Sequence, residues 1–422
     1  MSPTHIPRRG ITVSLCTAVV AALALSALPA TATATATAAG TDAAATATGT
    51  AVKAASAQGV IQNAGAPGAI EGSYVVTLHP SAADAGSKAG RRLAAAYGAT
   101  IDRTYGAALN GYAVRLPQAR AKKFAADPAV ASVVQNHLVK ASATQFDPPS
   151  WGLDRIDQRT LPLDQRYTYP DSAGQGVTAY VIDTGVRITH GDFGGRAAHG
   201  YDAIDNDGVA QDGNGHGTHV AGIVAGTRYG VAKKARVVGV RVLNDAGSGT
   251  IAQVIAGIDW VTANAVRPAV ANLSLGGGAN SALDAAVRNS IASGITYTVA
   301  AGGSAADASG FSPARVAEAI TVGAATITDA RAGSSNYGRA VDLFAPGVSI
   351  TSLWNTGDQA TATLSGTSMA APHAAGVAAL HLADSPGAPP AQVAATLIAT
   401  ATPGGVGNPG PGSPNRLLYI GP

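Results

Sequence analysis

Apolar residues recur at short, regular intervals between residues 74 and 134, and the interval changes from one run to the next. Strict alternation with polar residues is typical of half-buried strands, and a period of about 3.6 is typical of amphipathic helices. The runs predict strands at residues 74–78, 112–116 and 130–134, and helices at residues 82–97 and 118–126. We interpret these three strands and two helices as parts of the order strand, helix, strand, strand, helix, strand, in which one strand has no assigned run. This order defines a small α+β domain of the ferredoxin-like kind.

A second body follows a polar, proline-containing stretch at residues 142–149. Its strands are apolar throughout rather than on one face. The predicted strands are residues 177–182, 237–243, 269–275 and 295–300, and the predicted helices are residues 216–225, 251–265 and 282–292. This alternation indicates an α/β fold with a mostly parallel sheet and helices on both faces. In such folds, active residues gather at the carboxyl ends of the strands.

The N-terminus carries a targeting pattern, in which Arg8 and Arg9 precede a long apolar run and then small residues. This predicts a secretory signal peptide at residues 1–32. A membrane anchor is the alternative, but the run is at the short end for a span. Residues 33–71 are an Ala/Thr-rich tract without an apolar period and predict a flexible leader. The one cysteine, Cys16, leaves with the signal peptide, so we expect a secreted protein without disulfides.

The composition argues against several classes of protein. Charged residues are 13% and hydrophobic residues 46% of the 422 residues, which suits a packed core rather than disorder. The formal net charge is only +3, and no long Lys/Arg tract is present, so we do not expect nucleic acid as a partner. Beyond the N-terminal run, no segment is long and apolar enough to span a bilayer, so we expect no membrane partner either. We expect a monomer.

Three residue types that together carry out acyl transfer occur in suitable places. Asp183 ends a predicted strand, His216 lies between glycines at a loop-to-helix junction, and Ser368 opens an Ala-rich helical run after a Gly-Thr turn. A carboxylate can hold a histidine in one tautomer, and that histidine can take a proton from a serine. A backbone N–H at a helix N-terminus favours a developing negative charge. The chain order aspartate, histidine, serine is one known arrangement of these groups.

Taken one at a time, these residues have plain structural alternatives. Asp183 alone fits a turn. Helix capping is the alternative for the hydroxyl residues Ser365, Thr367 and Ser368. A metal site at His216 and His219 lacks the glutamate of the HExxH pattern. A lipase or esterase is disfavoured, because Ser368 is not in a GxSxG elbow and the three residues come in another order.

The residues around these positions resemble a known family. The segments that begin at Asp183 (Asp-Thr-Gly), His216 (His-Gly-Thr-His-Val-Ala-Gly) and Gly366 (Gly-Thr-Ser-Met-Ala-Ala-Pro-His) resemble motifs of the subtilase serine proteases, most closely their proteinase K-like branch. Further similar segments are residues 272–278, 335–338 and 342–347. The resemblance covers roughly residues 74–419, which is nearly all of the chain that we expect to be ordered. It implies a subtilisin-like fold and the hydrolysis of polypeptides.

The same resemblance implies a domain organisation. Residues 72–142 are similar to an inhibitory, fold-assisting propeptide, and this replaces the alternative of a free-standing regulatory domain. Residues 143–422 are similar to the peptidase domain, and cleavage is expected near residues 141–144. We therefore expect polypeptide substrates and, as an intramolecular inhibitor, the protein's own propeptide.

Roles for single residues also follow from the resemblance. It implies that Asp183 orients the base, that His216 transfers the proton and that Ser368 attacks the scissile carbonyl. The segments that match the two strands binding an extended substrate are Gly247, Ser248 and Gly249 on one side, and Ser274, Leu275 and Gly276 on the other. Structural calcium is implied at Asp342 with the backbone carbonyls of Ala317 and Ala319. The alternative for Asp342 is a salt bridge in a turn.

One position departs from the family's pattern. Relatives place an asparagine after an Ala-Ala-Gly strand end, and its side-chain amide is one oxyanion donor. Here that position is Gly303, and the alternative is a one-residue shift that puts Ser304 there. The remaining donors are the Ser368 backbone N–H and, with it, the Thr367 hydroxyl. We expect a slowed serine endopeptidase. The alternative is a catalytically impaired peptide-binding protein of subtilase fold.

Overall fold

The computed structural model describes residues 58–66, 68–139 and 142–421. The predicted signal peptide, Cys16 and most of the predicted leader lie outside the described residues. Within these ranges, no helix is both long enough and apolar enough to cross a membrane.

The N-terminal domain is a five-stranded sheet with two helices. Its elements are β1 (Ile61–Gln62), β2 (Ala69–Leu78), α1 (Lys88–Ala96), β3 (Thr100–Tyr105), β4 (Gly111–Arg115), α2 (Gln118–Phe124) and β5 (Val130–His137). The strand order is β1, β5, β2, β4, β3. All neighbours are antiparallel except β1 and β5. The ferredoxin-like order predicted from the sequence is therefore present, with β1 as an additional edge strand.

Two predictions for this domain are wrong in detail. Order was expected to begin near Gly72, but β1 pairs with β5 and β2 begins at Ala69. Ile61 is buried in the domain core, so one apolar side chain in this tract is enough to add a two-residue strand. The first helix begins at Lys88 rather than at residue 82, because the Ser87 hydroxyl accepts the Gly90 N–H at 3.0 Å and caps it there.

The C-terminal domain supplies the remaining elements. They are β6 (Ser142–Phe146), α3 (Trp151–Ile156), β7 (Arg166–Pro170), β8 (Thr178–Asp183), β9 (Ala197–Asp202), α4 (His216–Ala225), β10 (Arg236–Arg241), α5 (Ile251–Asn264), β11 (Ala269–Leu273), β12 (Gly277–Gly278), α6 (Ser281–Ala292), β13 (Thr296–Ala300), β14 (Phe311–Ser312), β15 (Ile320–Ala325), β16 (Leu343–Pro346), β17 (Ile350–Leu353), β18 (Thr361–Leu364), α7 (Thr367–Asp384), α8 (Pro390–Thr400), β19 (Thr402–Pro403) and β20 (Arg416–Leu417). The stretch that the sequence presented as a polar boundary thus contains β6, which pairs antiparallel with β7.

A nine-stranded sheet in the order β19, β20, β16, β15, β13, β11, β8, β10, β9 forms the centre of this domain. Every pair is parallel except β19 with β20. Successive residues of β8 enter different cores: Ala179 and Val181 pack with α4 and α7, whereas Tyr180 and Ile182 pack with α5 and α6. Burial on both faces explains why the strands read as continuous apolar runs.

Candidate active site

Asp183 and His216 meet where β8 ends and α4 begins. The His216 Nδ1–H donates to Asp183 Oδ1 at 2.7 Å, and the same oxygen accepts the Thr184 N–H at 2.7 Å. Asp183 is fully buried, and the His216 side chain is 26% exposed. A carboxylate on Nδ1 holds the ring in the tautomer whose Nε2 can accept a proton.

Asp212 fixes the turn that presents His216. Its Oδ1 accepts the N–H groups of Asn214 and Gly215 at 2.9 and 2.8 Å, and its Oδ2 accepts the Thr218 N–H at 2.9 Å. These bonds satisfy backbone donors that a helix N-terminus leaves free. Sequence reasoning missed this residue, although an aspartate shortly before a predicted helix start is the signal that could have found it.

The pKa of His216 lies above its ordinary value of 6.5. Burial of the ring lowers this pKa, but the charge and hydrogen bond of Asp183 and the charge of Asp212 outweigh it. A histidine that acts as a base must be neutral to take a proton. If His216 has this predicted role, its raised pKa keeps it protonated, and inactive, to a higher pH.

The acid limb of activity should therefore lie at a higher pH than an isolated histidine would give. We expect kcat/KM to fall as pH decreases through an apparent pKa above 6.5, a profile that reports the free enzyme. The measurement is kcat/KM against pH for an uncharged peptide substrate. An acid limb below pH 6.5 would contradict the assignment of the base.

Ser368 is the second residue of α7. Pro372 lies inside this helix and has no N–H with which to bond the carbonyl of Ser368, four residues earlier. The Ser274 hydroxyl donates to that carbonyl at 2.7 Å instead. A side chain of one predicted substrate-binding segment therefore compensates for the proline and ties that segment to the first turn of α7.

The Ser368 hydroxyl donates to the Ser274 carbonyl at 3.0 Å. Among the described residues it makes no hydrogen bond with His216. Serine side chains move readily between staggered rotamers, and nucleophile–base contacts are often loose without substrate.

Two adjoining cavities meet at Ser274, Leu275 and Gly276. One, of about 420 Å³, is also lined by His216 and by Gly247, Ser248 and Gly249. The other, of about 400 Å³, is lined by Ser274, Leu275, Gly276, Gly277, Gly278, Ala300, Ala301, Gly302, Gly303, Ser304, Phe311, Ser312, Ala314, Gly366, Thr367 and Ser368. The structure therefore brings both predicted substrate-binding segments, His216 and Ser368 to one cleft.

The position of the expected oxyanion donor also faces this cleft. Gly303 lines the same cavity as Ser368, is exposed, and would accept a Cβ with nothing within 4 Å of it. The Thr367 hydroxyl oxygen accepts the Gly302 N–H at 3.1 Å, which leaves its own hydrogen free to donate. Ser304, the alternative occupant, lines the cavity too, and its N–H donates to the Asn336 side chain at 2.9 Å.

His219 is fully buried behind the site. Its Nε2 donates towards the carbonyls of Ile350 and Ala362, each at 3.1 Å. Burial lowers the pKa of this ring to about 4. The second histidine of the motif thus ties α4 to the β17–β18 hairpin and is held as a neutral ring.

The three predicted calcium positions lie at the starts of β15 and β16. The Thr321 N–H donates to Asp342 Oδ2 at 2.8 Å, and the Asp342 N–H donates to the Thr321 carbonyl at 2.9 Å. Ala317 and Ala319 lie just before β15. Within the described residues no three His, Cys, Asp or Glu side chains cluster to hold a metal, so a site here would use one carboxylate with backbone carbonyls.

Comparisons with known proteins agree with this geometry. The Subtilase family matches residues 174–416, and the Peptidase inhibitor I9 family matches residues 73–142. The chain is 57% identical over 322 residues to an extracellular serine proteinase of Thermus sp. (strain Rt41A), covering 76% of this chain and 78% of that protein. It is 49% identical over 334 residues to alkaline serine exoprotease A of Vibrio alginolyticus, covering 78% of this chain and 62% of that protein.

A solved structure shares the fold as well. The crystal structure of a cold adapted subtilisin-like serine proteinase matches with a TM-score of 0.63 and 54% identity, over 64% of this chain and 97% of that chain. Fold and comparisons together define an α/β serine endopeptidase with an inhibitor-type propeptide. The chain belongs to the subtilase family. The resemblance, the fold class and the type of enzyme predicted from the sequence are confirmed.

Proposed function

We propose that this subtilase hydrolyses polypeptides through an acyl-enzyme, with Asp183, His216 and Ser368 as the triad. The observation that carries the proposal is the 2.7 Å bond between His216 and the buried Asp183, in the same cleft as Ser368 at the N-terminus of α7. Ser368 attacks the scissile carbonyl and passes its proton to His216 Nε2. The imidazolium, stabilised by Asp183, then protonates the leaving amine, and water releases the acyl group by the same route.

An extended substrate chain would lie between the two glycine-containing segments of the cleft. Gly247 to Gly249 and Ser274 to Gly276 offer backbone groups on opposite sides, which is the arrangement for adding a peptide as a strand. Among the residues that the structure describes, no charged side chain lines the cavity next to Ser368. The residue on the acyl side of the scissile bond is therefore expected to be uncharged and apolar or aromatic.

The oxyanion site supports a slowed reaction. Gly303 has no side-chain donor, so the Ser368 N–H at the helix N-terminus and the Thr367 hydroxyl carry the developing charge. A weakened hole leaves the triad and substrate binding intact, and these act on other parts of the barrier. Permanent retention of an uncleaved propeptide would instead favour the peptide-binding alternative.

Covalent labelling tests the assignment of the nucleophile. A sulfonyl fluoride should inactivate the enzyme and add its mass to one peptide, the one that contains Ser368, because only an activated serine reacts readily. Peptide mapping after labelling is the measurement. Label on another residue with loss of activity would overturn the proposed triad.

We also propose the domain limits and location that the sequence suggested. The signal peptide would end near residue 32. The inhibitory propeptide would end near residue 142, and the peptidase would cover residues 143–422. The relative from Thermus sp. that is named extracellular and the signal-like N-terminus support secretion. The I9 match supports the propeptide as intramolecular inhibitor. The monomeric state stays a prediction.

Calcium is proposed at Asp342 with the carbonyls of Ala317 and Ala319. Burial raises the pKa of Asp342 to about 6, although the Thr321 N–H and the charge of Arg416 lower it. The buried carboxyl without a cation thus favours its neutral form, and ionising it costs stability as pH rises through about 6. A hard dication with oxygen ligands fits this donor set and would offset that cost.

Calcium should therefore raise the melting temperature more at pH 8 than at pH 5. At 100 times its Kd, a bound ion adds about 2.7 kcal/mol of stability. The measurement is thermal unfolding with calcium and with chelator, for the native chain and for Asp342→Asn. An equal calcium response of the two proteins at pH 8 would contradict the site.

A further inference from the structure

The loop after β13, residues 301–306, carries the weakened oxyanion site. Its backbone is irregular: Gly302 has φ of 101° and Ala305 has φ of 51°, both in the left-handed region. A turn of this kind cannot satisfy its own peptide groups by a helix or sheet ladder, so it needs partners from elsewhere.

One buried side chain supplies three of those partners. Asn336 is 0% exposed, and its Nδ2 donates to the Ala301 carbonyl at 2.9 Å. Its Oδ1 accepts the N–H groups of Ser304 at 2.9 Å and Ala306 at 3.1 Å. Its backbone N–H adds a bond to the Gly302 carbonyl at 2.9 Å. The side chain therefore sits inside the turn and spans it from end to end.

The backbone at residue 302 lies so close to the Asn336 side-chain amide that only glycine fits there. A Cβ on Gly302 would lie 2.4 Å from Asn336 Nδ2, in a backbone conformation that L residues rarely adopt. Gly302 is also the link to the nucleophile, because its N–H donates to Thr367 Oγ1 at 3.1 Å and Thr367 directly precedes Ser368.

We propose that Asn336 is a positioning residue for the oxyanion hole, an inference that rests on the proposed function of this cleft. By spanning the turn, Asn336 holds the Gly302 N–H on the Thr367 hydroxyl oxygen. That bond occupies one acceptor site of the hydroxyl and directs its free hydrogen towards the cavity that Ser368 lines. The effect of Asn336 on catalysis thus passes through Thr367.

The lack of a side chain at Gly303 makes the rate more dependent on the position of Thr367. It is exposed, has no side chain, and has nothing within 4 Å of its Cβ direction, so the turn gains no anchor of its own at the tip. The missing donor also leaves the Thr367 hydroxyl with a larger share of the transition-state charge. A misplaced Thr367 should then cost more in the native chain than in a Gly303→Asn variant.

A double-mutant cycle between Asn336→Ala and Thr367→Val tests the proposal with a chromogenic peptide. We expect Asn336→Ala to lower kcat by roughly tenfold or more with KM changed by less than about threefold. In the Thr367→Val background, the same change should lower kcat by less than about twofold, because the hydroxyl through which Asn336 acts is already absent. In the Gly303→Asn background, the loss should be smaller than in the native chain.

Asn415→Ala is the matched control. Asn415 also holds a loop with its amide, through bonds to the Val406 N–H at 2.7 Å and the Val406 carbonyl at 2.8 Å, but it does not line the cleft. It should leave kcat unchanged. If Asn336→Ala does not fold, Asn336→Asp keeps the acceptor for Ser304 and Ala306, loses the donor to Ala301, and enters the same cycle.

Fully additive losses in the cycle, or a loss confined to KM, would overturn the proposal, since both describe a merely structural asparagine. Failure of the proposed function gives a different result. In that case Ser368→Ala retains the native rate, whatever residue 336 is.

Discussion

Replacing Ser368 with alanine should lower kcat for peptide hydrolysis by about 10⁶-fold, the order of magnitude for removing a triad nucleophile. The reason is that Asp183 and His216 have no function in acyl transfer without a hydroxyl to activate. The fold should be kept, because Ser368 is the second residue of a helix whose core contacts come from later positions. The measurement is single-turnover hydrolysis of a chromogenic peptide by purified protein, with thermal unfolding as the check on folding.

Ser365→Ala is the matched control for that variant. Ser365 lies three residues earlier in the same stretch, and its hydroxyl oxygen accepts the Ser349 N–H at 2.8 Å, outside the cleft lining. We expect its kcat to stay within about threefold of the native value. A large loss from Ser365→Ala, with activity retained by Ser368→Ala, would show that the helix-cap interpretation of Ser368 was correct and the nucleophile lies elsewhere.

Replacing Gly303 with asparagine should raise kcat by about 10²–10³, equivalent to roughly 2.7–4 kcal/mol. That figure comes from a subtilisin, a member of the same family. The structure permits the change, because Gly303 is exposed, has no positive φ, and has open space where the side chain would begin. An amide there would add a preorganised N–H donor for the tetrahedral intermediate.

Two further variants distinguish the effect of a hydrogen-bond donor at residue 303 from the effect of side-chain size. Gly303→Asp has the shape of the asparagine but brings an acceptor with a negative charge, so it should give no gain and is expected to slow the reaction. Gly303→Ala should stay near the native rate. An equal gain from alanine, or no gain from asparagine, would mean that residue 303 is not the missing donor's position.

The parallel sheet could be predicted because burial on both faces leaves a local signature. Strand β8 reads Thr-Ala-Tyr-Val-Ile-Asp, and all six residues are buried. Its aspartate stands at the carboxyl end, where such folds gather their active residues. The same reasoning placed His216 at the first residue of α4, where the structure also begins that helix.

The supporting contacts of the site could not be predicted, since they join residues far apart in the chain. Asn336 acts on a turn more than thirty residues earlier, and Ser274 compensates for Pro372 from another strand end. A short polar motif does not indicate which distant backbone groups its side chains will hydrogen-bond. The Ser368 hydroxyl likewise donates to the carbonyl of Ser274, a residue far away in the chain, which the local sequence does not indicate.

In the N-terminal domain, the composition led to a wrong prediction, because it indicated a flexible leader where the structure has a strand. The tract before Gly72 has the Ala- and Thr-rich composition of a flexible leader, yet Ile61 pairs with Val133 and is 8% exposed. Burial of a single apolar side chain against a neighbouring strand can thus form a strand in a segment whose average composition does not predict one. Composition therefore located the start of the domain about ten residues too late.

If Ser368 is the nucleophile of an enzyme that cleaves its own precursor, intact-mass analysis of the secreted product will show it. We expect the native chain to yield two species, a propeptide and a peptidase, separated within residues 141–144. The Ser368→Ala chain should yield one uncut species. Cleavage of the Ser368→Ala chain at the same bond would contradict the account, because the site built by Asp183, His216 and Ser368 could not then be responsible.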